Sequence, residues 1–250
     1  MSPPRAATLG ARFARALLPR TEAGRLARVF RLFEEAVGLL DDVEDGARPA
    51  TTLVDAHSRL LRSLWDAPEL VREALLGAGL EMLAGQARDL RSAPPASKAR
   101  PRVAQRSIQE QKTGAMVGVM LRAVATSARA KPATARAFER WGRAYGTLLQ
   151  HLSDASSLFG DGRAEDFLLL RPTRAMELPR AHPETKDLAA CLVAGDRTRP
   201  GRIEAFRVLA RQAGVPLALE QDAALFEGAA LPEASLASKS KRDAAHAVLD

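Results

Sequence analysis

A cluster of carboxylates lies near residue 41, in the run Leu39-Leu40-Asp41-Asp42-Val43-Glu44-Asp45-Gly46. Because a helix turns about 100° per residue, Asp41 and Asp45 project toward the same side of a helix that contains them. Carboxylate oxygens are the ligands of hard ions such as Mg²⁺, which keeps several waters and usually bridges to substrate phosphates. The Asp-Asp-x-x-Asp spacing therefore predicts a magnesium site, and a solvated acidic helix end is the alternative.

The residues before this cluster have the spacing of a helix with one buried side. Apolar residues recur at three- and four-residue intervals, which predicts a helix over about 21–45 that ends at Gly46. The apolar positions are Leu26, Val29, Phe30, Phe33, Val37 and Leu40. Asp41 and Asp45 continue this stripe at the helix end that carries partial negative charge. Clustered carboxylates there cost ~0.3–1 kcal/mol each unless a cation offsets them.

The composition favours an all-α protein. The chain has 250 residues and 46% apolar content, and it is rich in Ala, Leu and Arg, which have high helix propensity. We expect one domain over residues 1–250, with a basic lead-in at 1–20 and a loose tail at 239–250. Further helical patterns cover about 69–91 and about 133–159. The residues predicted on the buried side of the first are Leu70, Val71, Leu75, Leu76, Leu80, Leu83 and Leu90. Residues 92–106 are predicted to form a loop.

Charge and cysteine usage narrow the function class. The net charge is +7 and the pI is about 10.3, but the arginines are spread along the chain without flanking aromatics, which argues against nucleic-acid binding. A basic lining for an anionic substrate explains part of this charge. Cys191 is the single cysteine, and no signal-peptide pattern or run of eighteen apolar residues occurs. We therefore expect a cytoplasmic protein without stable membrane insertion.

Several further motifs follow the acidic cluster in a fixed order. They are Gly85-Gln86-Ala87-Arg88-Asp89-Leu90, then Lys112-Thr113-Gly114, then Gly142 and Gly146 before Gln150 and an Asp-containing segment. This series resembles the trans-isoprenyl diphosphate synthases, also called the polyprenyl synthetase family, over about residues 26–180. The resemblance implies a helical bundle around a central cavity, with two Asp-rich motifs that bind Mg²⁺ and hold the diphosphate of an allylic prenyl substrate.

The resemblance also implies roles for individual residues. Asp41, Asp42 and Asp45 correspond to metal ligands, and Lys112 and Arg163 to the cations that hold the diphosphate. Gln86, Thr113 and Gln150 would line the substrate pocket, and Lys112, Asp41 and Asp45 are the candidate catalytic residues. Arg48, in Ala47-Arg48-Pro49, stands where the family has an Arg-Arg-Gly segment that helps to hold isopentenyl diphosphate.

The second Asp-rich motif departs from the family pattern. The chain reads Ser153-Asp154-Ala155-Ser156-Ser157, with one carboxylate where the family has three. In one interpretation the second metal site is lost. In the other, Ser153, Asp154, Ser157 and Asp161 still hold a metal ion, since Ser153, Ser157 and Asp161 share one helix face and resemble the metal triad of class I terpene synthases.

These features predict a class I isoprenoid-diphosphate enzyme. It would ionise an allylic prenyl diphosphate with Mg²⁺ and continue by prenyl transfer or by terpene-synthase-like cyclisation or elimination. Chain elongation with isopentenyl diphosphate is less favoured, because each missing charge-assisted contact is worth ~1.5–3 kcal/mol. The alternatives are a non-catalytic polyprenyl-synthase-like subunit and a helical lipid-binding protein. We expect a homodimer or a heteromer with a related synthase.

Overall fold

The computed structural model describes residues 6–44, 48–91, 107–160, 164–171, 173–199 and 201–227, and the regular elements in these ranges are all helical. In chain order the helices are α1 (Ala6–Leu17), α2 (Arg20–Glu44), α3 (Thr52–Asp66), α4 (Glu69–Arg91), α5 (Ala115–Ser127), α6 (Pro132–Phe159), α7 (Glu165–Leu169), α8 (Arg174–Ala181), α9 (Lys186–Ala194), α10 (Arg202–Gln212) and α11 (Val215–Glu227). A π-helical turn, Glu110–Gly114, leads directly into α5. The predicted all-α class is confirmed.

The described residues divide into two compact units. The first contains the chain up to Met82 and Gly114–Gly146, and the second contains Leu83–Thr113 and the described part of Thr147–Ala229. The helices α4 and α6 each contribute to both units.

The core of the first unit forms around α2. Leu26, Val29, Phe30 and Phe33 are at most 1% exposed, so the apolar stripe read from the sequence is the buried face of this helix. Packing of such a stripe, rather than intrinsic propensity, stabilises most helices in proteins. The long helix therefore carries its acidic C-terminal end, with Asp41 and Asp42, on a rigid element.

The helix α1 packs into the same core. The ring of Phe13 is fully buried, and it contacts the rings of Phe138 and Trp141 edge-on, at centroid distances of 5.9 and 6.1 Å. The ring of Tyr145 stacks on Trp141 at 5.5 Å. Such aromatic pairs add about 0.5–1.5 kcal/mol beyond the burial of their area. These contacts join α1 to α6.

Two glycines allow α5 and α6 to approach each other closely. A Cβ atom added at Gly142 would lie 2.9 Å from the Cα of Gly118 and from the carbonyl oxygen of Val117. A Cβ atom at Gly118 would lie 2.7 Å from the side chain of Arg143. Because glycine has no side chain, the backbones of α5 and α6 are in contact at this crossing. This contact fixes the position of α6 before the helix continues to Gln150.

The second unit has an apolar core and, within it, an unusually charged helix. Phe167 and Phe206 pack at a centroid distance of 5.0 Å, beside the buried side chains of Leu158 and Met176. The helix α8 contributes Met176 to this core, although three of its eight residues are buried charged side chains. These are Arg174, Glu177 and Arg180.

The predicted helices over 21–45, 69–91 and 133–159 agree with α2, α4 and α6 within one residue at each end. The predicted burial on α4 is confirmed for Val71 and Leu75, which are at most 2% exposed. It is wrong for four leucines that are between 48% and 70% exposed, Leu70, Leu76, Leu80 and Leu83. The apolar residues of α4 are spread around more of the helix than one packing face covers, and its buried face is formed by Val71, Leu75, Ala78 and Met82. The predicted loop at 92–106 and the tail at 239–250 lie outside the described residues.

None of the helices in the described ranges combines the length and the apolar character that a membrane crossing requires.

Candidate active site

The acidic cluster lies at the C-terminal end of α2, where the side chains of Asp41 and Asp42 are partly exposed. The Nε of Arg48 donates a hydrogen bond of 2.8 Å to Oδ2 of Asp42, and the backbone N–H of Arg48 donates to the Asp42 carbonyl at 3.1 Å. The pair is half-exposed, at 54% for Arg48 and 46% for Asp42. Arg48 thus supplies the cation that the negative end of the helix requires. Asp45 lies outside the described residues.

The donor set at this end of α2 is compatible with Mg²⁺. The side chains of Asp41 and Asp42 are partly exposed, and Mg²⁺ is commonly bound through one or two carboxylates together with substrate phosphates. Within the described ranges no group of three His, Cys, Asp or Glu side chains is placed to hold a metal ion.

Lys112 is presented by the π-helical turn before α5. Its Nζ donates to Oδ2 of Asp89 at 3.1 Å, and both side chains are about four-fifths buried. A π-helical turn is rare and frequently marks a functional position in a helix. The turn approaches α4 closely, since a Cβ atom added at Gly85 would lie 2.8 Å from the Cβ of Gln111 and 3.3 Å from the Cγ of Lys112. Gly85 is therefore required for this approach.

Arg88 fixes the other side of the same turn. Its Nη1 donates to Oε1 of Gln111 at 2.7 Å and to Oγ of Ser107 at 3.3 Å. The last turns of α4 thus hold the segment that carries Lys112 through Gly85, Arg88 and Asp89. Gln86 on the same helix is buried, and its Oε1 has no hydrogen-bond partner among the described residues.

A chain of side-chain hydrogen bonds connects Thr113 with the remnant of the second Asp-rich motif. The Oγ1 of Thr113 donates to Oε1 of Gln150 at 2.7 Å, and the Nε2 of Gln150 donates to Oδ1 of Asp154 at 2.7 Å. Thr113 and Gln150, two residues predicted to line the pocket, therefore contact each other. The chain ends on the one carboxylate that this motif retains.

Asp154 is 4% exposed, and burial raises the pKa of its carboxyl from 3.8 to about 7. The hydrogen bond from Gln150 lowers the pKa, the nearby charge of Asp166 raises it, and Lys112 and the backbone N–H of Arg174 lower it. Desolvation is the largest of these effects. A carboxyl that holds its proton near neutral pH is a poorer metal ligand than the half-exposed carboxylate of Asp42.

The other predicted ligands of the second site are not equally placed. Ser153 is exposed and Ser157 is partly buried, so Asp154 is the only fully buried member of the three. Asp161 and Arg163 lie outside the described residues. The second metal site and the diphosphate contact of Arg163 therefore stay predictions.

A buried charged cluster beside Asp154 is not apparent from the sequence. The guanidinium of Arg174 on α8 pairs with Asp222 on α11, and the Nδ1 of His151 on α6 lies 2.9 Å from Oδ2 of Asp222 and 3.3 Å from Nη1 of Arg174. Arg174 and His151 are at most 4% exposed. Because the three residues are far apart in the chain, no spacing in the sequence indicates their contact.

Known structures resemble this chain over nearly its whole length. No protein-family model and no curated protein matches it. A geranylgeranyl pyrophosphate synthase superposes with a TM-score of 0.83 at 16% identity, covering 98% of this chain and 85% of the other. The polyprenyl synthase of Caulobacter crescentus CB15, in complex with calcium and isoprenyl diphosphate, gives 0.77 at 19% identity, with 97% and 81% covered.

The octaprenyl pyrophosphate synthase of Helicobacter pylori also superposes with a TM-score of 0.77, at 18% identity, and 100% of this chain and 89% of the other are covered. Similarity at this level of identity concerns the fold. The order of motifs and the arrangement of helices therefore lead to the same conclusion: the chain has the fold of the trans-isoprenyl diphosphate synthases.

Proposed function

We propose that the protein is a Mg²⁺-dependent class I isoprenoid-diphosphate enzyme that ionises an allylic prenyl diphosphate and transfers the prenyl group. One observation carries the proposal. In a chain with this fold, Lys112 and Thr113 lie in a π-helical turn, and their side chains are hydrogen-bonded to Asp89 and Gln150. A cation and a hydroxyl fixed in this way are suited to hold a diphosphate.

In this proposal Asp41, Asp42 and Asp45 hold magnesium, which supplies positive charge to the departing diphosphate when it is bound. Lys112 donates to the diphosphate oxygens as a second source of positive charge. Asp89 orients the ammonium group, while Gln150 orients the hydroxyl of Thr113. Arg48 exchanges its contact with Asp42 for a phosphate oxygen, and Arg163 adds a further cation. Apolar side chains around the bound substrate would keep water from the reacting allylic cation.

The alternative to prenyl transfer is a lyase reaction, in which the prenyl diphosphate undergoes terpene-synthase-like cyclisation or elimination. It follows from Ala47-Arg48-Pro49, which has one arginine where the family has two, since a second diphosphate needs several cations. A non-catalytic subunit is the second candidate, and the observation that favours it is the burial of Asp154. The prediction of a lipid-binding helical protein has no supporting contact among the described residues. The cytoplasmic location stays a prediction.

The purified protein should be incubated with Mg²⁺ and geranyl, farnesyl or geranylgeranyl diphosphate, each with and without isopentenyl diphosphate. Release of pyrophosphate only with isopentenyl diphosphate indicates a transferase, and release without it indicates a lyase. Asp41→Ala should lower kcat by about 10²-fold or more, because charge on the leaving group loses its stabilisation. Inactivity on every substrate, together with unchanged Mg²⁺ and pyrophosphate binding by Asp41→Ala, would contradict the proposal.

We also propose that the protein forms a homodimer or a heteromer through the exposed side of α3 and α4. Val54, Leu61 and Trp65 on α3 and Leu76 and Leu80 on α4 are exposed, with Trp65 at 83%. Exposed apolar side chains of this kind are typical of protein–protein contacts, and a standard interface buries about 800 Å² per partner.

Light scattering after size-exclusion chromatography tests this surface. We expect a dimer for the wild type and a monomer for Leu80→Glu, because a charge buried at an apolar contact is costly. Leu188→Glu, at a leucine of α9 that is 61% exposed, is the control and should leave the dimer intact. A wild type that is monomeric alone and assembles with a related synthase indicates the heteromer.

A further inference from the structure

The helix α2 carries its charges in two separate halves. Residues 20–33 contain four arginines and one glutamate, whereas residues 34–44 contain five acidic residues and no cation. Arg25, Arg28 and Arg31 follow one another at three-residue intervals, so they are neighbours on the helix surface, where like charges destabilise a helix. Helix stability alone therefore does not favour this arrangement, and an anionic partner would offset the repulsion.

The same excess of positive charge continues into α1. Residues 6–33 contain six arginines and one glutamate, a net charge of +5, compared with +7 for the whole chain. Nine of these residues are exposed; five of the nine are arginines, and none is acidic or aromatic. The exposed arginines are Arg15, Arg20, Arg25, Arg28 and Arg31. All the charge among the exposed residues of this segment is thus positive.

A groove between α1 and α2 brings three of these arginines together. Its volume is about 360 Å³, in the size range of small-molecule sites, and Arg15 lines it from α1 while Arg28 and Arg31 line it from α2. Small side chains line much of the remainder and leave space between the guanidinium groups: Ala7, Thr8, Ala11 and Ala27. We call this site the basic groove.

The cations of the basic groove are available to a ligand. Arg15 and Arg28 are exposed and form no ion pair within the part of the chain that the structure describes. Arg31 pairs with Glu35 at 3.0 Å, but it is 58% exposed, and exposed pairs contribute little to stability. Glu34 and Glu35 also line the groove, so the arginines exceed the carboxylates there by one.

We propose that the basic groove, together with the arginines beside it, binds the anionic surface of a phospholipid membrane. The guanidinium groups of Arg15, Arg28 and Arg31 can each donate two parallel hydrogen bonds to the phosphate of a lipid headgroup. Arg20 lies about 16 Å from Arg31 along α2. A surface with many phosphates matches this spread of cations better than a single small anion does. None of the described helices can span a bilayer, so the contact is made with the headgroups.

Nucleic acid is the other polyanion that exposed arginines could bind, but the surroundings of the basic groove do not favour it. Proteins that bind single strands place aromatic side chains beside their cations, whereas Phe13, Phe30 and Phe33 are at most 1% exposed. A helix that reads a duplex enters the major groove, whereas α2 is packed against both α1 and α3. Cations without stacking groups match lipid headgroups better.

Flotation of the full chain with lipid vesicles tests this contact without substrate, so its result does not depend on the proposed function. We expect binding to vesicles of phosphatidylcholine and phosphatidylglycerol in equal parts, and at least about tenfold weaker binding to phosphatidylcholine alone. Raising the salt from ~0.1 M to ~1 M should abolish binding, because the Debye length falls from about 10 Å to about 3 Å. Equal binding to both kinds of vesicle, binding that survives ~1 M salt, or binding to neither vesicle would overturn the proposal.

A triple variant tests whether the basic groove is the binding surface. Arg15→Gln, Arg28→Gln and Arg31→Gln together should weaken binding to the anionic vesicles by about 10²-fold, since each cation near such a membrane contributes about fivefold. The variant should melt within about 2 °C of wild type, because exposed side chains away from packing contacts contribute little to stability.

A matched control removes the same three charges from exposed positions elsewhere. Its substitutions are Arg62→Gln on α3, Lys186→Gln on α9 and Arg199→Gln after α9. Binding to the anionic vesicles should stay within about threefold of wild type, since the attraction is local to the contacting surface. Equal losses in the two triple variants would show that net charge, and not the basic groove, causes binding, and would overturn the proposal.

A DNA duplex of random sequence, at the same salt concentration, gives the last arm of the experiment. We expect the wild type to bind it at least about tenfold more weakly than the anionic vesicles. Tighter binding to the duplex than to the vesicles, lost in the triple variant of the basic groove, would assign the groove to nucleic acid and overturn the proposal.

Discussion

The acidic end of α2 and the segment 150–157 of α6 both retain carboxylates that the motif order relates to metal binding, yet the two regions have different environments. Asp42 is 46% exposed and pairs with Arg48 at the surface. Asp154 is 4% exposed; its Oδ1 accepts a hydrogen bond from Gln150, and its Oδ2 is buried without a hydrogen-bond partner among the described residues. A carboxylate can serve as a ligand where water can be exchanged for a metal ion. The comparison therefore indicates that exposure, more than residue type, separates the two regions.

The largest expected effect of exposure concerns ion pairs: breaking a buried pair should cost far more stability than breaking an exposed one. Arg180 and Glu177 on α8 lie 3.0 Å apart, with side chains at most 4% exposed. Arg31 and Glu35 on α2 lie at the same 3.0 Å but are 58% and 28% exposed. Arg180→Met should lower the free energy of unfolding by about 3–5 kcal/mol, and Arg31→Met by about 0–1 kcal/mol. Urea unfolding measures both values, and equal losses would remove the distinction.

The second prediction concerns the pH dependence of stability. The pKa of Asp154 is raised from 3.8 to about 7 by burial, so the folded protein binds one more proton than the unfolded chain between these values. Stability from this group is therefore full below pH 4 and is lost as the pH rises through 7, by up to about 4 kcal/mol. Asp154→Asn cannot ionise, so its unfolding free energy should lack this decrease.

Unfolding in urea between pH 5 and 8, with a chelator present, measures the effect. The difference between Asp154→Asn and wild type should move in favour of the variant as the pH rises. Asp42→Asn is the matched control at the exposed motif, and it should leave the decrease unchanged. A wild-type curve parallel to that of Asp154→Asn would show that the buried carboxyl ionises normally.

The third prediction concerns the close approach that positions Lys112. Gly85→Ala should cost about 1–3 kcal/mol, because its Cβ would lie 2.8 Å from the Cβ of Gln111. It should also raise KM for the allylic diphosphate, since Lys112 moves with this turn. Gly77→Ala on the same helix meets nothing within 4 Å and should stabilise by about 0.5–1 kcal/mol through helix propensity. An unchanged KM in Gly85→Ala would show that the turn with Lys112 does not contribute to substrate binding.

The smallest effect is expected at the surface pair. Arg48→Ala should change the free energy of unfolding by about 0–1 kcal/mol, because the pair is half-exposed. Magnesium binding without substrate should be equal or tighter, since the variant releases Asp42 from its partner. Weaker magnesium binding by Arg48→Ala, measured by calorimetry, would indicate that this pair organises the ligands rather than competing for them.

Several features of the fold follow from residue spacing alone. The stripe from Leu26 to Phe33 has one period and one buried face, so the sequence predicts both the helix and its orientation. The contact of Thr113 with Gln150 agrees with the motif order, because both residues were expected near one pocket. The burial of α4 could be predicted only in part, for Val71 and Leu75, since its leucines exceed what one packing face covers. Which of them stay exposed depends on the neighbouring helices.

The sequence by itself determines the helices, the order of the motifs and the acidic end of α2, because these depend on periodicity and on residues close together in the chain. Only the tertiary structure decides what Asp154 does. The charges that act on its carboxyl, those of Asp166 and Lys112, belong to residues 12 or more positions away in the chain, and they come near it only through packing. Desolvation is a property of that assembled environment, so the raised pKa of the one remaining carboxyl could be known only after folding.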